Sequence, residues 1–228
     1  MPHTLKWILI VLGLSASCET IAAGMLPETS LLIVNEEEQG ASIDVKNTDD
    51  TAQLLYTKVI TLADDAKPDL FVTQPVVRVE AGKTQRVRFV LKEGAPLKVE
   101  HLKRVIFSTI PQREKNKVKV IFSQNIPVII RPAGLDTKSD PWVDLKWTLN
   151  AGKVLVKNNT PYVIRLEQRI KLLPSGRFLE LSKSYILPGE SLTAKSNTNI
   201  AVTTDRQVEI YPATRYGYKV DKFIADIK

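Results

Sequence analysis

The chain has 228 residues, 43% of them hydrophobic and 25% charged, with a formal net charge of +7. Such a composition excludes a low-complexity or disordered chain and leaves room for one large or two small domains. The basic excess suits nucleic acid, an anionic surface or an acidic partner, but no basic-aromatic interleave of the kind that stacks on bases is present.

In chain order, the first segment is set apart. Lys6 precedes an apolar stretch from Trp7 to Ala16, and Ala22-Ala23-Gly24 is a small-residue stop. This is the layout of a secretory signal peptide over residues 1–24, cleaved near Ala23 or Gly24. The apolar stretch is about half of the ~20 residues a membrane-spanning helix needs. A membrane anchor and a lipidation site at Cys18 are the weaker alternatives; the second lacks an aliphatic residue where Ser15 stands. Cys18 is the single cysteine, so the exported product is expected to carry no disulfide and to hold together by core burial. No later apolar run is long enough to insert in a membrane, and export also argues against a nucleic-acid partner.

The rest of the chain reads as β. Leu31–Val34, Ala41–Lys46, Leu54–Leu62, Leu70–Val79, Gln85–Lys92, Leu102–Ile110 and a long Lys117–Ile130 are rich in β-branched and aromatic residues. Turn clusters such as Asn47-Thr48-Asp49-Asp50 and Glu80-Ala81-Gly82-Lys83 separate them. Roughly seven strands in ~110 residues is a sandwich pattern. After a linker near Arg131 to Lys138, Trp142–Leu149, Lys153–Lys157, Val163–Leu173, Phe178–Ser184, Ser191–Lys195, Ile200–Thr204 and Gln207–Tyr211 suggest a second, smaller sandwich. The expected domains are residues 25–132 and 133–228, and the fold class is all-β.

The long seventh strand is the most informative segment. Val118, Val120 and Phe122 alternate with Lys119, Ile121 and Ser123, which sets three apolar side chains on one face. The same row continues through Ile126, Val128 and Ile130. These side chains either complete their own domain's core or enter another protein.

Signals of catalysis are weak. His101 is the only histidine beyond the signal segment, too few for a zinc site without cysteine. There is no nucleophile elbow and no phosphate-cradling glycine loop. Glu36-Glu37-Glu38 and Asp64-Asp65 read as turn charges, Trp142 and Trp147 as second-domain core, and Asn158-Asn159-Thr160 as a turn rather than a glycan acceptor. No enzymatic activity, cofactor or metal is expected.

Several motifs, in order and spacing, resemble those of periplasmic pilus-assembly chaperones of the chaperone–usher type, the PapD-like family. They are Pro75 with Val77-Arg78-Val79-Glu80-Ala81-Gly82, Gln85-Arg86-Val87-Arg88, Ile110-Pro111, Arg131-Pro132-Ala133, Val156-Lys157-Asn158-Asn159-Thr160-Pro161-Tyr162 and Leu187-Pro188-Gly189. The resemblance implies two immunoglobulin-like β-sandwich domains at an angle around a cleft. It implies a periplasmic protein that supplies a missing strand to pilus subunits and passes them to an outer-membrane usher, and that self-associates when free of subunit. By position, Val118, Val120 and Phe122 match the family's donor row.

The family's anchor for the subunit's terminal carboxylate is an Arg in the first strand and a Lys late in the seventh. Thr29 and Pro127 stand at the matching positions, so that pair is absent. The Ile126-Pro127 pair and Arg104 resemble the divergent archaic-type branch, which implies Arg104 as the anchor, with Lys103 second. An interdomain bridge of Arg88, Glu100 and Asp205 is also implied. The rival reading is an exported two-domain adhesin or carbohydrate-binding module.

Overall fold

A computed structural model of the chain describes residues 24–110, 121–150, 152–195, 204–214 and 221–228. The expected signal segment, Gly24 apart, and the donor-row residues Val118 and Val120 lie outside the described residues.

The first nine strands are β1 (Met25–Pro27), β2 (Leu32–Asn35), β3 (Gly40–Asn47), β4 (Gln53–Thr61), β5 (Leu70–Val72), β6 (Val76–Val79), β7 (Thr84–Leu91), β8 (His101–Ile110) and β9 (Gln124–Arg131). One sheet is β1, β3, β7 and β5; the other is β2, β9, β8, β4 and β6. They are joined at a single residue pair, Asn35↔Gly40. Gly40 is required there, because a Cβ would sit 2.3 Å from the Phe89 carbonyl oxygen. The N-terminal segment thus switches sheets: β1 pairs antiparallel with β3, and β2 runs parallel to β9 from Leu32↔Val128 to Asn35↔Arg131.

Period-two patterning builds the core. In β7, Val87, Phe89 and Leu91 are buried while Arg86, Arg88 and Val90 are exposed. They pack with Val34, Val45, Val105, Phe107, Val128 and Ile130 between the sheets. The expected strand Leu70–Val79 is two strands, because β5 pairs with β7 and β6 with β4. Pro75 lies in the break, where it need not donate a ladder hydrogen bond.

The second domain contains β10 (Lys146–Asn150), β11 (Lys153–Lys157), β12 (Ile164–Arg165), β13 (Arg169–Leu173), β14 (Phe178–Glu180), β15 (Tyr185–Ile186), β16 (Ser191–Ala194), β17 (Gln207–Ile210) and β18 (Phe223–Asp226). They form ladders β10-β11-β16, β12-β15 and β14-β13-β17-β18. The expected strand Val163–Leu173 divides into β12 and β13, and most of the expected Ile200–Thr204 lies outside the described residues. β18, which pairs with β17, was not anticipated from sequence. Trp142 and Trp147 are buried in this domain's core, as expected, so neither offers a sugar-stacking platform.

Each domain uses one buried asparagine to tie a turn. Asn47 Nδ2 donates to the carbonyls of Thr51 (2.9 Å) and Val79 (3.0 Å). Asn158 Nδ2 donates to the carbonyls of Tyr162 (2.8 Å) and Ile186 (3.0 Å), and its Oδ1 accepts from Thr160. The side chain of the formal sequon is therefore consumed in holding a turn.

Between the domains lies a third apolar cluster of Leu31, Leu102, Ile129, Val163 and Leu187. Ile129 and Leu102 face away from the first domain's core, and the second domain covers them.

Candidate functional site

The site begins at the edge of β9. β9 pairs with β8 along its length, from His101↔Ile130 to Phe107↔Gln124. On its other side β2 reaches back only to Val128. Among the described residues, no strand pairs with that side upstream of Val128. Pro127, at the start of this open stretch, suits an edge because it has no N–H to leave unpaired.

Side-chain burial changes along the same row. Ile126 is 6% exposed and Val128 and Ile130 are fully buried, whereas Phe122 is 57% exposed. Ile121, on the alternate face, is 45% exposed. Two adjacent large apolar side chains therefore stand in water beside an open strand edge. The expected strand Lys117–Ile130 is strand from Gln124 onward, and residues 121–123 lie outside any ladder.

The two anchor candidates on β8 are neighbours with opposite surroundings. Lys103 shares the inward row of Val105 and Phe107 and is fully buried. Its Nζ donates to the Asp65 carbonyl oxygen, and burial pushes its amine below the usual lysine range, against the attraction of Asp65 and Asp69. So placed, Lys103 serves the first domain's interior. Arg104 points outward, opposite Pro127. Its Nε donates to Asn125 Oδ1 (2.7 Å) and its Nη2 to the Asn125 carbonyl (2.8 Å), which hold the guanidinium along the β9 edge.

A cleft of about 410 Å³ opens between the domains next to this edge, lined by Arg104, Pro127, Arg165, Tyr185 and Tyr211 among others. Arg165 comes from β12 of the second domain, and its Nη2 donates to the Thr214 carbonyl (3.0 Å). Burial lowers its pKa from the usual arginine value, and the nearby Arg104 charge lowers it further. Sequence reasoning missed Arg165, because nothing in the sequence around residue 165 tells that β12 lies across from β8.

The expected bridge of Arg88, Glu100 and Asp205 is not assembled. Arg88 is exposed on β7, opposite Ser42, in the sheet that does not contain β8. Glu100, just before β8, instead lies 3.5 Å from Arg131 Nε. Glu100 does reach the second domain: its Oε2 accepts from the Val163 N–H (2.9 Å), and its own N–H donates to the Pro161 carbonyl (2.8 Å). Asp205 is buried within the second domain, where it accepts from the Ser175 N–H and Oγ at 2.8 Å each. Arg88 points outward from the sheet of β3 and β7, whereas Glu100 leads into β8 of the other sheet.

A second interdomain bridge was not foreseen. Lys183 pairs with Asp64 and, at 2.6 Å, with Glu190, while the Tyr185 hydroxyl donates to Asp64 (3.0 Å). Burial alone would raise the Asp64 carboxyl, but the bonds from Lys183 and Tyr185 outweigh it and hold it below the usual range. Asp65, next in the chain, accepts from His101 Nδ1 (2.7 Å, read with the ring N–H facing it) and from the Leu102 N–H (2.6 Å). The Asp64-Asp65 pair, expected as turn charges, thus joins the 62–65 turn to β8 and to the second domain. No cluster of metal-ligating side chains exists among the described residues.

Comparison with known proteins matches this architecture. Residues 24–136 match the N-terminal domain model of the pili and flagellar-assembly chaperone PapD, and residues 140–224 match the PapD C-terminal domain model. The chain is 42% identical over 227 residues to the Escherichia coli K12 fimbrial chaperone YhcA, covering 98% of this chain and 100% of the relative. It is 27% identical over 172 residues to the fimbrial chaperone LpfB of Escherichia coli O157:H7, covering 72% of this chain and 74% of that one. Among solved structures, the E. coli chaperone DraB superposes with a TM-score of 0.72 at 21% identity, covering 89% of this chain and 98% of the other. The Salmonella enterica SafB chaperone, solved with the SafA pilin, gives 0.70 at 20% identity, covering 91% and 98%. With both halves matched by the family's two domain models and nearly its whole length aligned to a fimbrial chaperone, the chain belongs to the PapD family of pili assembly chaperones.

Proposed function

We propose that this protein is a non-enzymatic periplasmic chaperone that binds pilus subunits by donor-strand complementation and delivers them to an outer-membrane usher. The observation that carries the reading is Phe122, 57% exposed beside a strand edge that has no partner among the described residues. An exposed aromatic on an open edge is an aggregation hazard unless a partner strand covers it. Strand addition there forms main-chain hydrogen bonds and inserts alternate side chains into the partner. Phe122 would bury its ring in a subunit's groove, with Val120 and Val118 following upstream in the same row, each worth roughly 1.5–3 kcal/mol.

The division of labour follows the domain division proposed at residues 132 and 133, with residues 1–24 as the export signal. The first domain donates the edge. The second sets the cleft and, through Glu100, Asp64 and the apolar cluster around Ile129, holds its position against the first. Handover needs no cofactor: a better-fitting strand from the next subunit displaces the donor.

Co-expression with the subunits encoded beside its gene tests this. The native chain should yield soluble subunit in periplasmic extracts and co-purify with it. Phe122→Asp should fold normally and recover none. Equal recovery with Phe122→Asp would refute donation from this edge.

A further inference from the structure

β2 and β9 run parallel and finish together, at Asn35↔Arg131. The acidic turn Glu36-Glu37-Glu38 follows β2, and the interdomain linker follows β9, so the two leave the sheet side by side. Residues 132–135 of the linker form a turn in which the Leu135 N–H reaches the Pro132 carbonyl (3.4 Å). Gly134 takes φ +68° there, the left-handed conformation that glycine adopts without steric conflict.

The charges of the acidic turn, expected as solvated, are engaged with this linker. Glu36 Oε2 accepts from the Ala133 N–H (2.8 Å), and Glu37 Oε1 accepts from the Gly134 N–H (3.0 Å). Glu36 Oε1 accepts from the Leu97 N–H (2.9 Å), in the connection between β7 and β8. The Glu36 carboxylate therefore joins its own turn, that connection and the linker. Further along, the Tyr162 hydroxyl of the second domain donates to the Asp136 carbonyl (2.9 Å).

We propose that Glu36 and Glu37 form a latch that fixes the pivot between the domains, and that they are positioning residues for subunit capture. The proposal rests on the donor-strand reading above and adds to it a means by which the cleft beside the donor edge keeps its width. Domains joined by a short linker move relative to one another unless something restrains them. Two consecutive peptide N–H groups held by two consecutive side chains restrain the linker's rotation as well as its displacement, because turning either peptide plane breaks a charge-assisted bond. Glu38 supplies an internal control. It belongs to the same turn and is also a glutamate, but its Oε1 accepts from Asn35 Nδ2 (3.2 Å).

The test measures the interdomain distance in the chain from residue 25 onward, which has no cysteine of its own. Spin labels at Lys83→Cys in the first domain and Lys153→Cys in the second, both exposed sites, are read by double electron–electron resonance. The labelled native chain should give one narrow distribution, and Glu36→Ala combined with Glu37→Ala should about double its width. The same double variant should lower the recovery of co-expressed subunit severalfold, and Glu38→Ala should change neither readout. Glu37→Gln should keep the native width, because the amide oxygen still accepts from Gly134. Glu36→Gln, with one acceptor left for two N–H groups, should fall between. A native width in the double variant overturns the latch, whatever its melting temperature. If that variant does not fold, a native width in Glu36→Gln overturns the latch instead. A broadened distribution with native subunit recovery overturns the role in capture and leaves strand donation standing. Phe122→Asp should lose the subunit at native width; if it keeps the subunit, strand donation fails, and the role in capture with it.

Discussion

The two halves of the apolar row that runs from Phe122 into β9 carry one alternation and have different surroundings. Downstream, β2 and β8 flank the strand, and Val128 and Ile130 are fully buried. Upstream, Ile126 has β8 alone beside it yet stays buried, and Phe122, two residues before β9 begins, is 57% exposed although it keeps the same parity. Parity decides which face of a sheet a side chain takes. Whether that face is covered depends on how many strands and layers surround it, and that is a property of the fold. The comparison teaches that one apolar row can be core along most of its length and exposed surface at one end, with the change between Ile126, still in the core, and Phe122, beyond the last ladder pair at Gln124.

Charged substitutions along the row should break the comparison most clearly. Val128→Asp places an unpaired carboxylate in the closed half, at a penalty of several kcal/mol, and the chain should fail to accumulate in folded form, read by circular dichroism and yield. Phe122→Asp makes the same change in the open half of the row, just before β9 begins. Its thermal midpoint should stay within about 2 °C of the native value, since surface substitutions usually change stability by no more than about 0.5 kcal/mol, while subunit recovery falls at least tenfold. A folded Val128→Asp, or an unfolded Phe122→Asp, would erase the distinction between the halves.

The two adjacent cations of β8 sharpen it further. Arg104→Gln should weaken subunit binding by about tenfold, the loss of a charge-assisted bond to a carboxylate, without lowering stability by more than about 1 kcal/mol. Lys103→Met should do the reverse: subunit binding unchanged, with a stability change of either sign, because it removes both a buried cation and the donor to the Asp65 carbonyl. Affinity by titration and thermal melts of the same preparations separate the two.

The smallest expected effect concerns the bridge that holds the cleft. The Asp64 carboxyl is depressed in the folded chain, so its contribution is present above its ordinary value of 3.8 and is lost as pH falls through the lower, folded value. The melting-temperature difference between the native chain and Asp64→Asn should be constant from about pH 5 to 8 and vanish in acid below that carboxylate range. With Asp64 37% exposed, the difference is small and shrinks with added salt.

Much of the fold was legible in the residues, and the failures have a common origin. Strand positions in the first domain follow from period-two runs bounded by turn residues, and Asn47 and Asn158 sit where turn chemistry places them. Pro75 marked a break that the run Leu70–Val79 concealed, because both pieces are β-rich and only their partners differ. Arg104 was placed before Lys103 by resemblance alone, and the parity of Val105 and Phe107 supplies a physical reason to tell the two apart. Arg88 was assigned by resemblance to a bridge with Glu100, and the residue that stands beside Glu100 is Arg131. Arg165 carried no local signal at all.

From its residues alone, the chain's all-β character, its two-part organisation and the amphipathic row ending at Arg131-Pro132 could be derived, because alternation, β-branching and turn propensity act over a few neighbouring residues. The open edge beside Phe122, the exchange of Arg88 for Arg131, and the meeting of Arg104 with Arg165 across the cleft depended on the tertiary structure. Each is a relation between segments distant in sequence, set by which strands share a sheet and how two sandwiches pack, and no short-range preference encodes it.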